Sequence, residues 1–444
     1  VFSLGIDFGT SGVRAVVLDK EQNIISQAQS LLKKSTEFKN KNQIVIGYSQ
    51  NPLEWWKCFE QVIFNITDNL CQQQLRSADI SHLAIDGTSA SVLLADADGN
   101  PVTDALMYND QRALLQAKKI HQFAPEHCAA DNINSGLSKL LWLHHHYQTP
   151  DNIHYVLNQA DWISGKLIGQ YGNSDHNNAL KMGYDMNTHS WPQWLFALLK
   201  DNHINKDILP RVFQPGEIIA TIAPHMADHL GLSRQLKICA GTTDSTAAII
   251  ATGAKSIGQA VTSLGSTLVM KIISAKPIFD RQSGVYSQPY GHLWLVGGAS
   301  NSGGEVLKGY FSSEEMLLLT EELDKRLAQG NLSLLNYHYY PLKHIGERFP
   351  INNAELTPRL TPRAKNNLDF FQALLEGMAE IEAMSYKKLV ELGAPHPNLV
   401  SSIGGGTTNN SWHHIREQIL AVPVIKAEQQ QAATGSAILA QSSW

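Results

Sequence analysis

Two stretches of this 444-residue chain share one uncommon pattern. Leu4-Gly5-Ile6-Asp7-Phe8-Gly9-Thr10-Ser11-Gly12 runs from an apolar segment through a small polar turn into a second apolar segment that ends at Leu18. Ala260-Val261-Thr262-Ser263-Leu264-Gly265-Ser266-Thr267-Leu268-Val269-Met270 repeats that shape in the second half. Each reads as strand, tight turn and returning strand. Such a turn points backbone N–H groups and hydroxyls into one small space, which suits phosphate oxygens. Taken singly, either is equally a hairpin whose Gly and Ser only reverse the chain. Two of them, one per half, predict an internally duplicated α/β architecture with the site between the halves.

Two carboxylates stand beside these turns. Asp7 lies among Ile6, Phe8 and the rest of its strand, where an unpaired carboxylate is costly. A metal, a water-held cation or a substrate hydroxyl is its expected partner. Asp244 follows Ile238-Cys239-Ala240-Gly241-Thr242-Thr243 and precedes a helix over Thr246–Ala251. There a carboxylate stays ionised under backbone N–H groups. A plain N-cap explains that as well. The flanking Gly241, Thr242 and Thr243 open the backbone to a ligand and favour a catalytic Asp244.

Composition excludes several classes. Apolar residues at 43% and charged residues at 17% fit an enzyme with substantial cores. A net charge of −5 gives no reason to expect nucleic acid or an anionic membrane as partner. Cys58, Cys71, Cys128 and Cys239 are scattered without a CxxC, as expected of reduced thiols rather than a disulfide frame or zinc site. No apolar run approaches a membrane span and no leader precedes the first strand, so a cytoplasmic chain is expected. A homodimer is left open.

Further along, Asn23–Leu31 supplies a third strand, 32–50 reads as loop, and Pro52 opens an amphipathic helix. Ile80–Ile85 is a strand followed by Asp86-Gly87-Thr88-Ser89-Ala90-Ser91, and Val92–Ala95 resumes the sheet. Carboxylates and hydroxyls just past a strand end are where open α/β sheets place ligands; a simple connecting loop is the alternative. Tyr108-Asn109-Asp110-Gln111-Arg112 can hydrogen-bond adjacent hydroxyls, as a sugar requires. Asp110 and Arg112 can equally be an ion pair at a helix start. His144, His145 and His146 point different ways on a helix and read as a solvated helix end. Asp161 and Trp162, near the start of a helix over 158–168, are placed facing the cleft, and 170–190 reads as loop. Val400–Ile403 leads into Gly404-Gly405-Gly406, which lets a flat or phosphorylated ligand lie on the backbone. Trp412 beyond it is placed to stack on a base, with the small-residue segment 432–440 packed beneath that surface. The domain boundary is expected between residues 234 and 235.

Together these segments resemble the FGGY carbohydrate kinase family, part of the wider sugar kinase, heat-shock and actin fold. The resemblance covers Asp7–Gly12, Leu93–Arg112, Gly241–Ser245, Ser263–Leu268, Gly346–Pro350 and Gly404–Gly406. It implies two actin-like, ribonuclease H-like domains, 1–234 and 235–444, with a cleft closing around ATP, Mg²⁺ and a polyol or ketose. It also implies that Asp244 is the general base and that Asp7 sits at the metal and the acceptor hydroxyl, with Asp244 beside the metal. Phosphate contacts fall to Thr10, Ser11, Gly265, Ser266, Thr267 and Gly303, and adenosine contacts to Gly405, Gly406, Asn409 and Trp412.

Within the family the chain is most similar to the D-ribulose kinases of plants and cyanobacteria, often called xylulose kinase-like. Gly87-Thr88-Ser89, Met107-Tyr108-Asn109, Ser135-Gly136-Leu137-Ser138-Lys139, Val296–Asn301 and Gly346–Ile351 carry that likeness. Typical xylulose kinases have Gln-Met-His-Gly where Gly87-Thr88-Ser89-Ala90 stands, and many relatives have Trp in place of Tyr108. Ser89, Tyr108 and Asp110 are the sugar contacts carried over, and D-ribulose is the first expected substrate. Xylulose or a pentitol is the alternative within the family, and a non-catalytic sugar or nucleotide sensor the alternative of another class.

Overall fold

The computed structural model describes residues 1–126, 128–147 and 152–441. Packing divides the chain into two compact units: Val1–Ala251 together with the segment from Gln431 onward, and Thr252–Gln430.

The first unit is built on a six-stranded sheet ordered Ile218–Thr221, Lys237–Thr243, Ile80–Gly87, Phe2–Phe8, Gly12–Leu18, Ile24–Leu31. Phe2–Phe8 pairs antiparallel with Gly12–Leu18 and parallel with Ile80–Gly87, which runs parallel to Lys237–Thr243. These strands are buried nearly throughout, which accounts for their continuous apolar runs. The helix Pro52–Gln72 covers the sheet. Asn51 caps it by accepting from the Leu53 N–H, and Trp55, Phe59, Val62, Ile63, Ile66 and Leu70 bury one face at helical spacing.

The second unit repeats the plan. Gln259–Leu264 pairs antiparallel with Leu268–Ser274, which pairs antiparallel with Leu293–Ala299. Gln259–Leu264 also runs parallel to Leu399–Ile403, and that strand parallel to Val424–Lys426. The duplication expected from the two turns is thus a duplication of whole sheets. The long helix Asn367–Glu391 packs its buried face, including Phe370, Phe371, Leu374, Met378 and Leu389, into this unit's core.

Several expectations need correcting. Residues 32–50 hold two strands, Thr36–Lys39 and Val45–Gln50, in a separate five-stranded sheet. Thr36–Lys39 is exposed along its whole length, so no apolar alternation marks it. Val92–Ala95 joins that same sheet instead of resuming the first one, because Ala90 takes a left-handed φ of 62° and redirects the chain. Within 170–190 lie the strand Asn173–Asp175 and the helix His176–Leu180.

The expected boundary after residue 234 would strip Lys237–Thr243 from the sheet it completes; the units divide instead at 251 and 430. The helix Ala432–Gln441 does not underlie a nucleotide surface but packs on the first unit's sheet. A Cβ on Gly5 would fall 2.0 Å from the Ala433 carbonyl oxygen, and one on Gly435 would fall 1.8 Å from that of Ala247. Among the described residues no helix is long and apolar enough to cross a membrane.

Candidate active site

Parallel strands in register bring their C-terminal ends to one edge, and three carboxylates gather there. Asp7 and Asp86 are directly paired positions on neighbouring strands. Asp244 begins the helix Asp244–Ala251, immediately after the strand whose Thr242 and Thr243 pair with Asp86 and Gly87. Asp7 is buried and its Oδ2 accepts from Arg14, its antiparallel neighbour, at 3.2 Å. Burial raises its pKa, offset in part by a hydrogen bond with Asp86 and by the Arg14 charge. Asp86 is fully buried and its Oδ2 accepts from the Ser436 hydroxyl at 2.6 Å. Its Oδ1 meets no N–H or hydroxyl donor among the described residues, and Asp7 is its carboxyl neighbour on the adjoining strand. Two carboxyls can share a hydrogen bond only when one is protonated, and burial next to Asp7 pushes Asp86 well above the carboxylate range. Asp244 is half-buried; burial and the Asp7 charge raise it to about 6. Its Oδ1 accepts from the Ser245 N–H at 2.6 Å. The sequence places Asp86 in a ligand-facing cluster without giving it a role of its own, and does not single out its partner Ser436. A carboxylate directly after the apolar strand Ile80–Ile85 is the signal for Asp86.

The first turn places Thr10 and Ser11 at an exposed tip. Its backbone is fixed by Gly9 N–H to Gly12 O at 3.0 Å, by Gln50 donating to the Thr10 carbonyl, and by Leu32 donating to that of Ser11. In the second turn, Gly304 and Glu305 N–H groups donate to the carbonyls of Gly265 and Ser266, and Leu268 donates to Ser302. Glu347 holds this arrangement from behind, accepting from the Ser300 hydroxyl at 2.6 Å and from the Asn301 N–H at 2.7 Å. Gly303 has φ 150°, and a Cβ there would sit 2.7 Å from both Ser266 O and Thr267 Cα. Gly303→Ala must therefore displace the turn, at a cost of about 1–3 kcal/mol in strained backbone. We expect a corresponding loss of ATP affinity, read by calorimetry, with sugar affinity retained.

The glycine run is only partly as expected. Gly405 has nothing near its Cβ position and is open to a ligand. Gly406 has another role: a Cβ there would lie 2.5 Å from the Trp412 ring. Trp412 is not available to stack on a base. It is buried in the core with its indole N–H donating to Leu375 O at 3.1 Å. Asn409 caps the helix Asn410–Leu420, accepting from Trp412 N–H at 2.7 Å, and donates to Thr320.

Around the expected sugar contacts, Thr88 and Ser91 share a hydroxyl hydrogen bond of 2.6 Å, and Ser91 Oγ accepts from the Tyr108 N–H. Gln159, fully buried, accepts from both the Thr88 N–H and its hydroxyl. Ser89 Oγ is buried with no partner among the described residues, and Tyr108 is 41% exposed. Both can receive a ligand. Asp110 cannot: it is fully buried and its oxygens accept from Tyr48 N–H, Arg112 N–H and Arg112 Nε. The Arg112 guanidinium is sandwiched by Phe38 and Trp142, so this pair is the anchor of its loop.

Asp161 and Trp162 likewise do not face a ligand. Asp161 accepts from Asn158 and Ser174, and Trp162 donates to Gly99 O. Burial raises Asp161 to about 6, and burial plus the Asp161 charge raises Asp175 to about 7. Folded-state values above the unfolded value near 4 contribute stability that is complete below pH ~4 and lost as pH rises through ~7. We expect Asp175→Asn, whose side-chain oxygen can still cap His176–Leu180, to lose less Tm than wild type between pH 5 and 8 in thermal melts.

The profile for the N-terminal domain of the FGGY family of carbohydrate kinases matches residues 2–251, and that for its C-terminal domain matches residues 260–444. The chain belongs to the FGGY family of carbohydrate kinases. Its FGGY relatives include the xylulose kinase of Bacillus subtilis (strain 168), 24% identical over 454 residues that cover 99% of this chain and 87% of the relative. The autoinducer-2 kinase of Enterobacter sp. (strain 638) is 24% identical over 470 residues, covering 99% and 85%. The crystal structure of xylulose kinase from Rhodospirillum rubrum shares the fold with a TM-score of 0.84 at 19% identity, covering 99% of this chain and 89% of that one. As an FGGY kinase the chain is a phosphotransferase that takes ATP as co-substrate and a sugar as acceptor.

Proposed function

We propose that this FGGY kinase transfers the γ-phosphoryl group of ATP to the terminal primary hydroxyl of a ketopentose, D-ribulose before D-xylulose. The observation that carries the choice of sugar is the loop Gly87–Ser91. It offers a buried Ser89 hydroxyl with no partner among the described residues and an exposed neighbour in Tyr108, with no His or Gln in the loop where typical xylulose kinases have them.

In this reading Asp244 accepts the proton of the attacking hydroxyl, since a half-buried carboxylate titrating near 6 is ionised yet basic at neutral pH. The turn bearing Thr10 and Ser11 and the turn bearing Gly265, Ser266 and Thr267, with Gly303 beside it, are each suited to hold phosphate oxygens. Gly405 lines the adenosine, with Gly406 leaving room for the Trp412 ring behind it and Asn409 acting through the helix it caps. The loose transition state of phosphoryl transfer makes positioning and charge neutralisation the main contributions.

The donor set fits Mg²⁺. Among the described residues no group of three His, Cys, Asp or Glu side chains forms a metal cage, and Mg²⁺ is held through one or two carboxylates plus substrate phosphates. Asp7, with Asp244 beside it, would hold the ion, which would neutralise phosphate charge.

Xylulose is the second reading, favoured by the name of the Bacillus relative. A sensor without catalysis is disfavoured, because binding alone needs no base. Coupled ADP release with D-ribulose and D-xylulose separates the readings. We expect kcat/KM at least about tenfold higher for D-ribulose. The reverse order would overturn the ribulose assignment and leave the kinase standing.

A further inference from the structure

Lys139 is the most deeply buried ammonium beside the sugar-facing loops, at zero exposure. It sits in the first turn of the helix Gly136–His146, whose N-cap Ser135 accepts from the Ser138 N–H. An ammonium has three N–H donors, and here each has a carbonyl acceptor. Nζ donates to Ala90 O at 2.7 Å, Tyr108 O at 3.2 Å and Asn134 O at 3.2 Å. The three carbonyls come from three segments: the loop after Ile80–Gly87, the loop after Ala105–Leu106, and the lead-in to the lysine's own helix.

Stability alone does not explain a lysine in this place. Its three partners are neutral, and the opposite charge that acts on it, Asp110, is already paired with Arg112. Lys181 adds a like charge, and burial with that charge pulls the pKa of Lys139 down to about 7, against the opposing effect of Asp110. A fully buried charge so weakly compensated costs stability, and an apolar side chain of similar length would pack without that cost. What an apolar side chain could not do is hold the Ala90 and Tyr108 carbonyls together. Ala90 directly follows Ser89, and its left-handed φ of 62° sets the direction of that loop.

Resting on the kinase reading, we propose that Lys139 is a positioning residue for the sugar. Its ammonium clamps the loops bearing Ser89 and Tyr108 at a fixed spacing, so sugar affinity depends on it and nucleotide affinity does not. The hydroxyl bond of Thr88 with Ser91, and that of Ser91 with Tyr108 N–H, complete the clamp within the loops; Lys139 ties it to the helix.

The test uses full-length Lys139→Met and Lys139→Arg, assayed with whichever ketopentose or pentitol the wild type phosphorylates. Met removes all three donors. Arg keeps the charge but spreads its donors in a plane, so it cannot converge them on three carbonyls. We expect the sugar KM to rise about tenfold or more for Met and by less for Arg, with the ATP KM within about twofold of wild type. Equal rises in both constants, or a fall in kcat with the sugar KM unchanged, would overturn the proposal.

Hydrogen exchange over 86–92 and 105–110 gives a second readout that needs no turnover. Protection lost there in either variant while the second unit stays protected supports the clamp, and unchanged protection in both variants overturns it. Wild-type inactivity on every pentulose and pentitol would count against the kinase reading alone, because exchange still reports on Lys139. If Met does not fold, Arg carries both readouts.

Discussion

Asp244→Asn is expected to lower kcat by ~10²–10⁴-fold, the range a positioned general base contributes. The side chain starts a helix, is half-buried, and is raised to about 6 by burial and the Asp7 charge. A carboxylate in that state titrates just below neutrality, so wild-type kcat should climb through pH ~6 to a plateau. The variant should lack that limb. Folding responds in the opposite direction. A group whose folded-state pKa lies above its unfolded value contributes stability that is lost as pH rises through the folded value, so ionised Asp244 weakens the fold at pH 8. Asn removes that charge and keeps a side-chain oxygen for the Ser245 N–H. An inactive enzyme of equal or higher Tm at pH 8 is therefore the expected pairing, measured by steady-state kinetics and thermal melts on one preparation. A variant keeping more than a few per cent of the wild-type rate would remove Asp244 as the base.

Glu382→Ala should have the largest effect on stability, a loss of about 3–5 kcal/mol. Glu382 and Arg416 are both buried without exposure to speak of, and the guanidinium bonds the carboxylate through Nε at 2.6 Å and Nη2 at 2.7 Å. Its third arm donates to Ser402 at 2.6 Å, while Glu382 also accepts from Thr262 at 2.5 Å. Thr262 lies on the strand that enters the turn Gly265–Thr267, and Ser402 on the strand that enters Gly404–Gly406. One ion pair thus anchors both of these turns, which we propose to face the nucleotide, to the helices Asn367–Glu391 and Asn410–Leu420. Removing the glutamate leaves a buried cation without its counter-charge. Urea unfolding should show the loss, and Glu382→Leu with Arg416→Met should recover most of it. Recovery of stability without recovery of ATP affinity would show that the pair positions the turns as well as supporting them.

What the sequence made legible was local. The two strand–turn–strand patterns, Asp7 at a strand end and Asp244 at a helix start each depend on neighbours within a few positions, and each stands where expected. What it hid were partners far along the chain. The Trp412 indole N–H is consumed by Leu375, 37 positions away, and the Asp110 carboxylate by the Tyr48 N–H, 62 positions away. Ser436 reaches Asp86 across 350 positions. Composition around Trp412 and Asp110 is equally consistent with a bound ligand and with a satisfied core, and only the fold decides which. The helix Ala432–Gln441 misled for a related reason: its small residues announce close packing but not against what, and Gly5 supplies the other surface.

Transfer of the γ-phosphoryl group to a sugar hydroxyl is the step on which the other assignments depend. ATP labelled in the γ-phosphoryl group, incubated with the enzyme and Mg²⁺ with and without D-ribulose and D-xylulose, follows that group directly. We expect label to pass to sugar phosphate when a ketopentose is present, and little to reach inorganic phosphate without one. Label released only as inorganic phosphate, at a rate indifferent to either sugar, would contradict it.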